Sequence, residues 1–151
     1  LHIEHSVTIR RPVADVFDLV GNPNDDTTWG GLIVESEQLS AGPLGIGSRF
    51  RQVVALLGAR ITMTIEVTDF QPGRLLRYHA ADPWPIEHLR AVEPTSDGSQ
   101  LTFSTDLDVG GKFRLAAPFL GQATRRQMEE DLTQIKALLE GSARVNGLPT
   151  R

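Results

Sequence analysis

The order of elements in the sequence predicts an α+β fold: a curved, seven-stranded antiparallel sheet wrapped around a long C-terminal helix, with one or two short helices after the first strand. Three observations carry that reading. Apolar and polar residues alternate at the start of the chain, six further strand-like runs follow with only short turns between them, and an apolar stripe at helical spacing comes last.

In residues 2–10, Ile3, His5, Val7 and Ile9 alternate with Glu4, Ser6, Thr8 and Arg10, the period of a strand with one buried face. Arg11-Pro12 ends it. Val13, Val16, Phe17 and Val20 then share a helical face, with Pro12 suited to a first turn and Gly21 near the end. The segment 22–29 is rich in Asn, Asp and Thr and reads as a loop or very short helix, in which Asp25 and Asp26 are expected to cap. Strands are expected at 32–39, 48–57, 59–70, 74–80, 86–93 and 100–108. The links between them, Leu57-Gly58-Ala59, Gln71-Pro72-Gly73 and Ser96-Asp97-Gly98-Ser99, are short enough to demand antiparallel neighbours. Met128, Leu132, Ile135, Leu138 and Leu139 define the long helix, interleaved with Arg125, Arg126, Glu129, Glu130 and Lys136. Gly141-Ser142 is expected to stop it. One domain over 1–141 and a frayed tail over 142–151 follow from this pattern.

The composition narrows the function. At 151 residues, 40% hydrophobic, the chain suffices for one core and not for a second domain of ordinary size. Fifteen Lys and Arg against nineteen Asp and Glu leave a charge of −4, which opposes nucleic acid as a partner. Without Cys there are no disulfides, thiolate metal sites or cysteine nucleophiles. The histidines at 2, 5, 79 and 88 have no metal-binding spacing, and no cofactor is expected. No apolar run reaches the roughly 20 residues that span a bilayer, and Leu1-His2-Ile3-Glu4-His5 carries no export pattern, so a cytoplasmic protein without integral membrane association is expected. No GxSxG elbow is present, which disfavours serine hydrolase chemistry. Gly42, Gly45 and Gly47 lack the Lys-Ser/Thr pair of a phosphate loop and read as a hairpin loop needing positive φ.

Six segments together resemble the helix-grip superfamily of START domains, Bet v 1 allergens and bacterial polyketide cyclase/dehydrase and lipid-transport (SRPBCC) proteins. They are Ile9-Arg10-Arg11-Pro12-Val13-Ala14-Asp15-Val16-Phe17, then Trp29, then Gly42-Pro43-Leu44-Gly45-Ile46-Gly47-Ser48-Arg49-Phe50. Val67-Thr68-Asp69-Phe70-Gln71-Pro72-Gly73-Arg74, Asp97-Gly98-Ser99-Gln100-Leu101-Thr102 and the helix around Leu132-Thr133-Gln134-Ile135 complete the order. The resemblance implies a hydrophobic cavity between sheet and long helix. It does not imply one reaction.

Candidates for the cavity wall come from polar side chains that share a face with apolar ones. If the turn after residue 80 is centred near Pro83, Tyr78 lies opposite His88 and Leu76 opposite Arg90. Phe103 and Thr105 join that face from the next strand, and Gln52, Val54, Met63 and Ile65 from the third and fourth. Trp29 and Trp84 lie in loops, as lid or as core, and Phe119 stands near the start of the last helix. In one reading His88 moves a proton, Tyr78 donates to a carbonyl or enolate oxygen and Arg90 stabilises developing charge, the roles an aldol cyclisation and dehydration need. In the other, Tyr78 and His88 satisfy each other and Arg90 is neutralised by an acid such as Asp106 or Glu66.

Binding or carriage of a small hydrophobic molecule (a lipid, an isoprenoid or a polyketide-like compound) is therefore the leading expectation, with a cyclase/dehydrase using Tyr78, His88 and Arg90 as the alternative. A protein-interaction module with a filled cavity is the third. The exposed face of the last helix mixes both charges, which favours a solvated helix, and a monomer or homodimer is expected.

Overall fold

The structure is a computed structural model that describes residues 1–56 and 58–147. β1 (His2–Ile9) leads through Arg11-Pro12 into α1 (Val13–Val20), whose Val16, Phe17 and Val20 are buried. Pro12 occupies the N-cap with φ −61°, already close to the helical value it must hand on. A 3-10 turn (Pro23–Asp25) follows, with Asn22 Oδ1 accepting from Asn24 N, and then α2 (Asp26–Trp29). The other strands are β2 (Ile33–Gln38), β3 (Arg49–Leu56), β4 (Ala59–Gln71), β5 (Leu75–Ala80), β6 (Ile86–Thr95) and β7 (Gly98–Leu107). A second 3-10 turn (Gly111–Ala116) opens into α3 (Ala117–Gly147).

The seven strands form one antiparallel sheet in the order β1-β7-β6-β5-β4-β3-β2. Every link from β2 to β7 joins neighbours, and only β1 crosses, to pair with β7 at the far edge. The expected strand boundaries hold to within about two residues. The largest departure is at β7, which starts at Gly98 because Thr95 pairs with Gly98, leaving a two-residue loop where a four-residue turn was expected. Gly42 and Gly47 do take positive φ, 88° and 92°.

Inward-facing residues of the sheet and the buried stripe of α3, Leu120, Met128, Leu132 and Ile135, form one core with α1. Polar contacts hold α3 against β1: Lys136 Nζ donates to Thr8 O, and Arg10 N donates to Glu140 Oε2 at 2.9 Å. The expected helix stop at Gly141-Ser142 is corrected, since the helix runs through to Gly147. A helical glycine costs only about 1 kcal/mol against alanine, too little to break a helix already propagating. Residues 148–151 of the expected tail lie outside the described residues. No helix among the described residues is long and apolar enough to cross a membrane.

Candidate functional site

β6 stands in the middle of the inner wall. Its register places His88 opposite Tyr78 and Arg90 opposite Leu76 on β5, as the alternation with a turn centred on Pro83 requires, and the Thr95–Gly98 hairpin sets His88 opposite Thr105 and Arg90 opposite Phe103 on β7. Arg90 is 1% exposed, a cation taken wholly out of water. A buried charge survives only when paired and hydrogen-bonded.

The partner is Asp26, itself 0% exposed, at the start of α2. Arg90 Nη1 donates to Asp26 Oδ1 at 2.8 Å and Nη2 donates to Oδ2 at 2.9 Å, the two-point geometry a guanidinium fork favours. The remaining donors are also used: Nη1 to Val20 O at 3.0 Å, Nη2 to Tyr78 Oη at 3.4 Å and Nε to His88 Nε2 at 3.1 Å. A guanidinium has five N–H groups, and here each has an acceptor within the protein. Rings of Trp29 and Phe103 lie 4.8 and 5.5 Å from the guanidinium carbon. Asp26 is thus neither the helix cap expected from the sequence nor is Arg90 neutralised by Asp106 or Glu66. Asp26 is the first residue of α2 and both its carboxylate oxygens are taken by Arg90 and Gln52, while Asp25 holds the N-cap position without a side-chain cap bond.

Gln52 belongs to the same network. Its Nε2 donates to Asp26 Oδ2 at 2.8 Å and to Ser36 Oγ at 3.1 Å, while Ser36 Oγ donates to Pro23 O at 2.7 Å. It braces the carboxylate from behind and does not line the cavity, which corrects its assignment as a ligand contact. Phe119 is corrected too: it is 71% exposed. Nine residues, about two and a half turns, separate it from Met128, so the two side chains leave the helix on opposite faces.

Trp29, Met63, Tyr78, Trp84, His88, Arg90, Phe103 and Thr105 do converge, around a cavity of about 190 Å³ between the sheet and α3. The sequence reading missed part of its wall. Leu32 and Ile33 after α2, Leu56 and Ile61 at the β3–β4 hairpin and Thr124, Gln127 and Asp131 on α3 also line it. Asp131 flanks Leu132 and Met128 on the apolar edge of the helix, a position where an acid is costly unless partnered. Its Oδ1 accepts from Gly31 N at 2.9 Å and Gln127 Nε2 at 2.8 Å.

Electrostatics follow from this packing. Burial and then the Arg90 charge push the His88 imidazolium well below its ordinary range, so the ring is neutral. Burial pushes the Tyr78 phenol up to about 12, against the opposing pull of Arg90. For Arg90 burial works against the charge, but Asp26 and Tyr78 outweigh it and the net shift is upward. Asp131 is raised by burial, less so for the hydrogen bonds from Gly31 and Gln127.

The curved antiparallel sheet gripping one long C-terminal helix defines a helix-grip domain. The chain matches the family described as polyketide cyclase / dehydrase and lipid transport over residues 1–140, and it belongs to that family. Among solved structures it is similar to the ZhuI aromatase/cyclase from Streptomyces sp. R1128, at 19% identity and TM-score 0.81, covering 97% of this chain and 98% of that one. It is also similar to TTHA0849 from Thermus thermophilus, at 13% identity and TM-score 0.78 over 94% and 99% of the two chains. Ara h 8.0201 superposes at 14% identity and TM-score 0.71, over 93% and 98%. At these identities the likeness is one of fold. No curated protein matches the sequence.

Proposed function

We propose that this protein binds and carries a small hydrophobic molecule in the cavity between the sheet and α3. The observation that carries the reading is the cavity wall, apolar on most of its surface with a few placed polar groups, the Tyr78 and Thr105 hydroxyls and the His88 imidazole among them. Size bounds the occupant. A dry apolar cavity of roughly 150 Å³ holds a benzene, so about 190 Å³ takes a one-ring or compact two-ring skeleton. A longer lipid, isoprenoid or polyketide-like chain enters only if the β3–β4 hairpin or α3 yields. The carrier works as a monomer or homodimer in the cytoplasm, without a nucleic-acid or integral-membrane partner.

A cyclase/dehydrase reading is supported by Tyr78, His88 and Arg90 meeting on one wall and by the likeness to an aromatase/cyclase. It ranks second for a geometric reason. A proton shuttle needs a ring nitrogen free to take a proton, and both nitrogens of His88 are engaged, by Arg90 and by Thr105 Oγ1.

Native mass spectrometry and organic extraction of the purified protein, followed by thermal shift against fatty acids, isoprenoids and aromatic ketones, test the proposal. An extracted or stabilising apolar compound is the expected result. Failure of every compound to bind or stabilise overturns it, and turnover of a poly-keto substrate that disappears in His88→Ala puts the enzyme reading first.

A further inference from the structure

The hydrogen bonds around His88 have a direction. An arginine Nε–H only donates, so the 3.1 Å contact from Arg90 Nε requires a lone pair on His88 Nε2. The ring proton then sits on Nδ1 and is donated to Thr105 Oγ1 at 2.8 Å. Thr105 is an acceptor in that bond, and among the described residues its own hydroxyl proton has no acceptor. The Thr105 side chain lines the cavity.

The same logic applies at Tyr78. Its oxygen accepts from Arg90 Nη2, which leaves the phenolic proton without an acceptor among the described residues, again on the cavity wall. Two further donors lie alongside. The Trp29 and Trp84 rings, 4% and 8% exposed, both line the cavity, and neither indole N–H has a partner among the described residues. Buried donors without acceptors are uncommon in a finished interior, because each forfeits the hydrogen bond it had in water. Here they gather around one cavity.

Charge sets a second condition. Arg90 spends all five donors inside the protein and its charge is cancelled by Asp26, so no cation is offered to an anionic ligand. The other charged group on the wall, Asp131, is acidic.

We propose that Thr105 is the group that reads the ligand, its hydroxyl turned into the cavity by the Arg90–His88–Thr105 chain, and that the site selects an uncharged apolar molecule bearing a carbonyl-type acceptor over the corresponding hydrocarbon or carboxylate. Tyr78 is the second donor, and His88 is a positioning residue. The inference rests on the pocket reading above and adds its chemical selectivity.

Three probes on one skeleton test it: 1-tetralone, tetralin and 1,2,3,4-tetrahydro-1-naphthoate, titrated into the intact protein by calorimetry. The ketone is expected to bind about tenfold or more tighter than either other probe, the scale of one buried hydrogen bond. Thr105→Val should remove most of that preference while leaving tetralin affinity unchanged, and Thr105→Ser should restore it. His88→Met, which keeps a weak sulfur acceptor for Arg90 but has no N–H to give Thr105, should lower the ratio of ketone to tetralin affinity. Nitrogen-15 NMR of His88 provides a ligand-free readout, with a protonated Nδ1 and a bare Nε2 expected; the opposite tautomer overturns the proposal. Equal binding of all three probes, or tightest binding of the carboxylate, overturns the selectivity and leaves the pocket standing. Binding of none overturns both.

Discussion

Asp26 and Arg90, far apart in sequence, meet through two hydrogen bonds of 2.8 and 2.9 Å with neither side chain reaching solvent. The pair ties α2 to the middle of the sheet and so fixes where Trp29, three residues further on, closes over the cavity. Replacing such a pair as a unit with packed apolar groups is often tolerated, but stranding one member leaves an uncompensated buried charge.

Asp26→Asn is therefore expected to destabilise the protein by about 3–5 kcal/mol, since the amide keeps the shape and removes the charge that Arg90 requires. Denaturant unfolding measures it. Asp26→Leu combined with Arg90→Met should cost clearly less than the sum of the single changes, and strict additivity would show that the two residues do not act as a pair.

His88 adds a pH dependence of definite sign. In the native protein burial and the neighbouring Arg90 hold the ring neutral, whereas in the unfolded chain it protonates near 6.5. As pH falls below that value the unfolded state binds the extra proton, so stability present above about pH 6.5 is lost on acidification. Between pH 7 and 5.5 the unfolding free energy should fall by on the order of 1 kcal/mol from this group, and His88→Gln should flatten that part of the profile. A parallel profile in the variant would mean that the ring titrates in the native state as it does when unfolded.

What could be read in advance divides along physical lines. The pairing of Tyr78 with His88 and of Leu76 with Arg90 was legible because side chains alternate strictly along strands and short turns fix register, and the same alternation put Thr105 on their face. The partner of Arg90 was not. Asp26 arrives from a loop and two short helical turns, where no periodicity tells which side chain faces inward, and an Asp beside Asn and Pro looks like any cap. Only the requirement that an inward Arg find an acid hinted at it, and the acids on the strands were nearer candidates. Gln52 faces inward as its alternation demands, yet it stops at Asp26, a consequence of packing depth that pattern does not encode. Phe119 was assigned by proximity in sequence to the apolar stripe, not by helical phase.

That phase predicts a contrast between adjacent residues. Leu120 is 4% exposed in the core while Phe119 is 71% exposed. Leu120→Ala should cost about 2–4 kcal/mol as a large-to-small core change, and Phe119→Ser should stay within about 0.5 kcal/mol with ligand affinity unaltered. Loss of binding in Phe119→Ser would return that ring to the pocket and require a different rotation of α3.

Ile61 offers the sharpest separation between a cavity and an ordinary core. It lies opposite Val54 on the β3–β4 hairpin, lines the space and touches none of the Asp26–Arg90 hydrogen bonds. If the space of about 190 Å³ is a pocket, Ile61→Trp fills it with an indole and displaces the occupant while the surrounding contacts remain. Affinity for tetralin as a neutral two-ring probe, read by calorimetry, should then drop by about tenfold or more, with stability changed by less than about 1 kcal/mol. Overpacking a core that is already full forces neighbours off their rotamers and typically costs about 1–3 kcal/mol. A variant destabilised on that scale, with probe affinity intact, would place the ligand elsewhere and identify this region as packing alone.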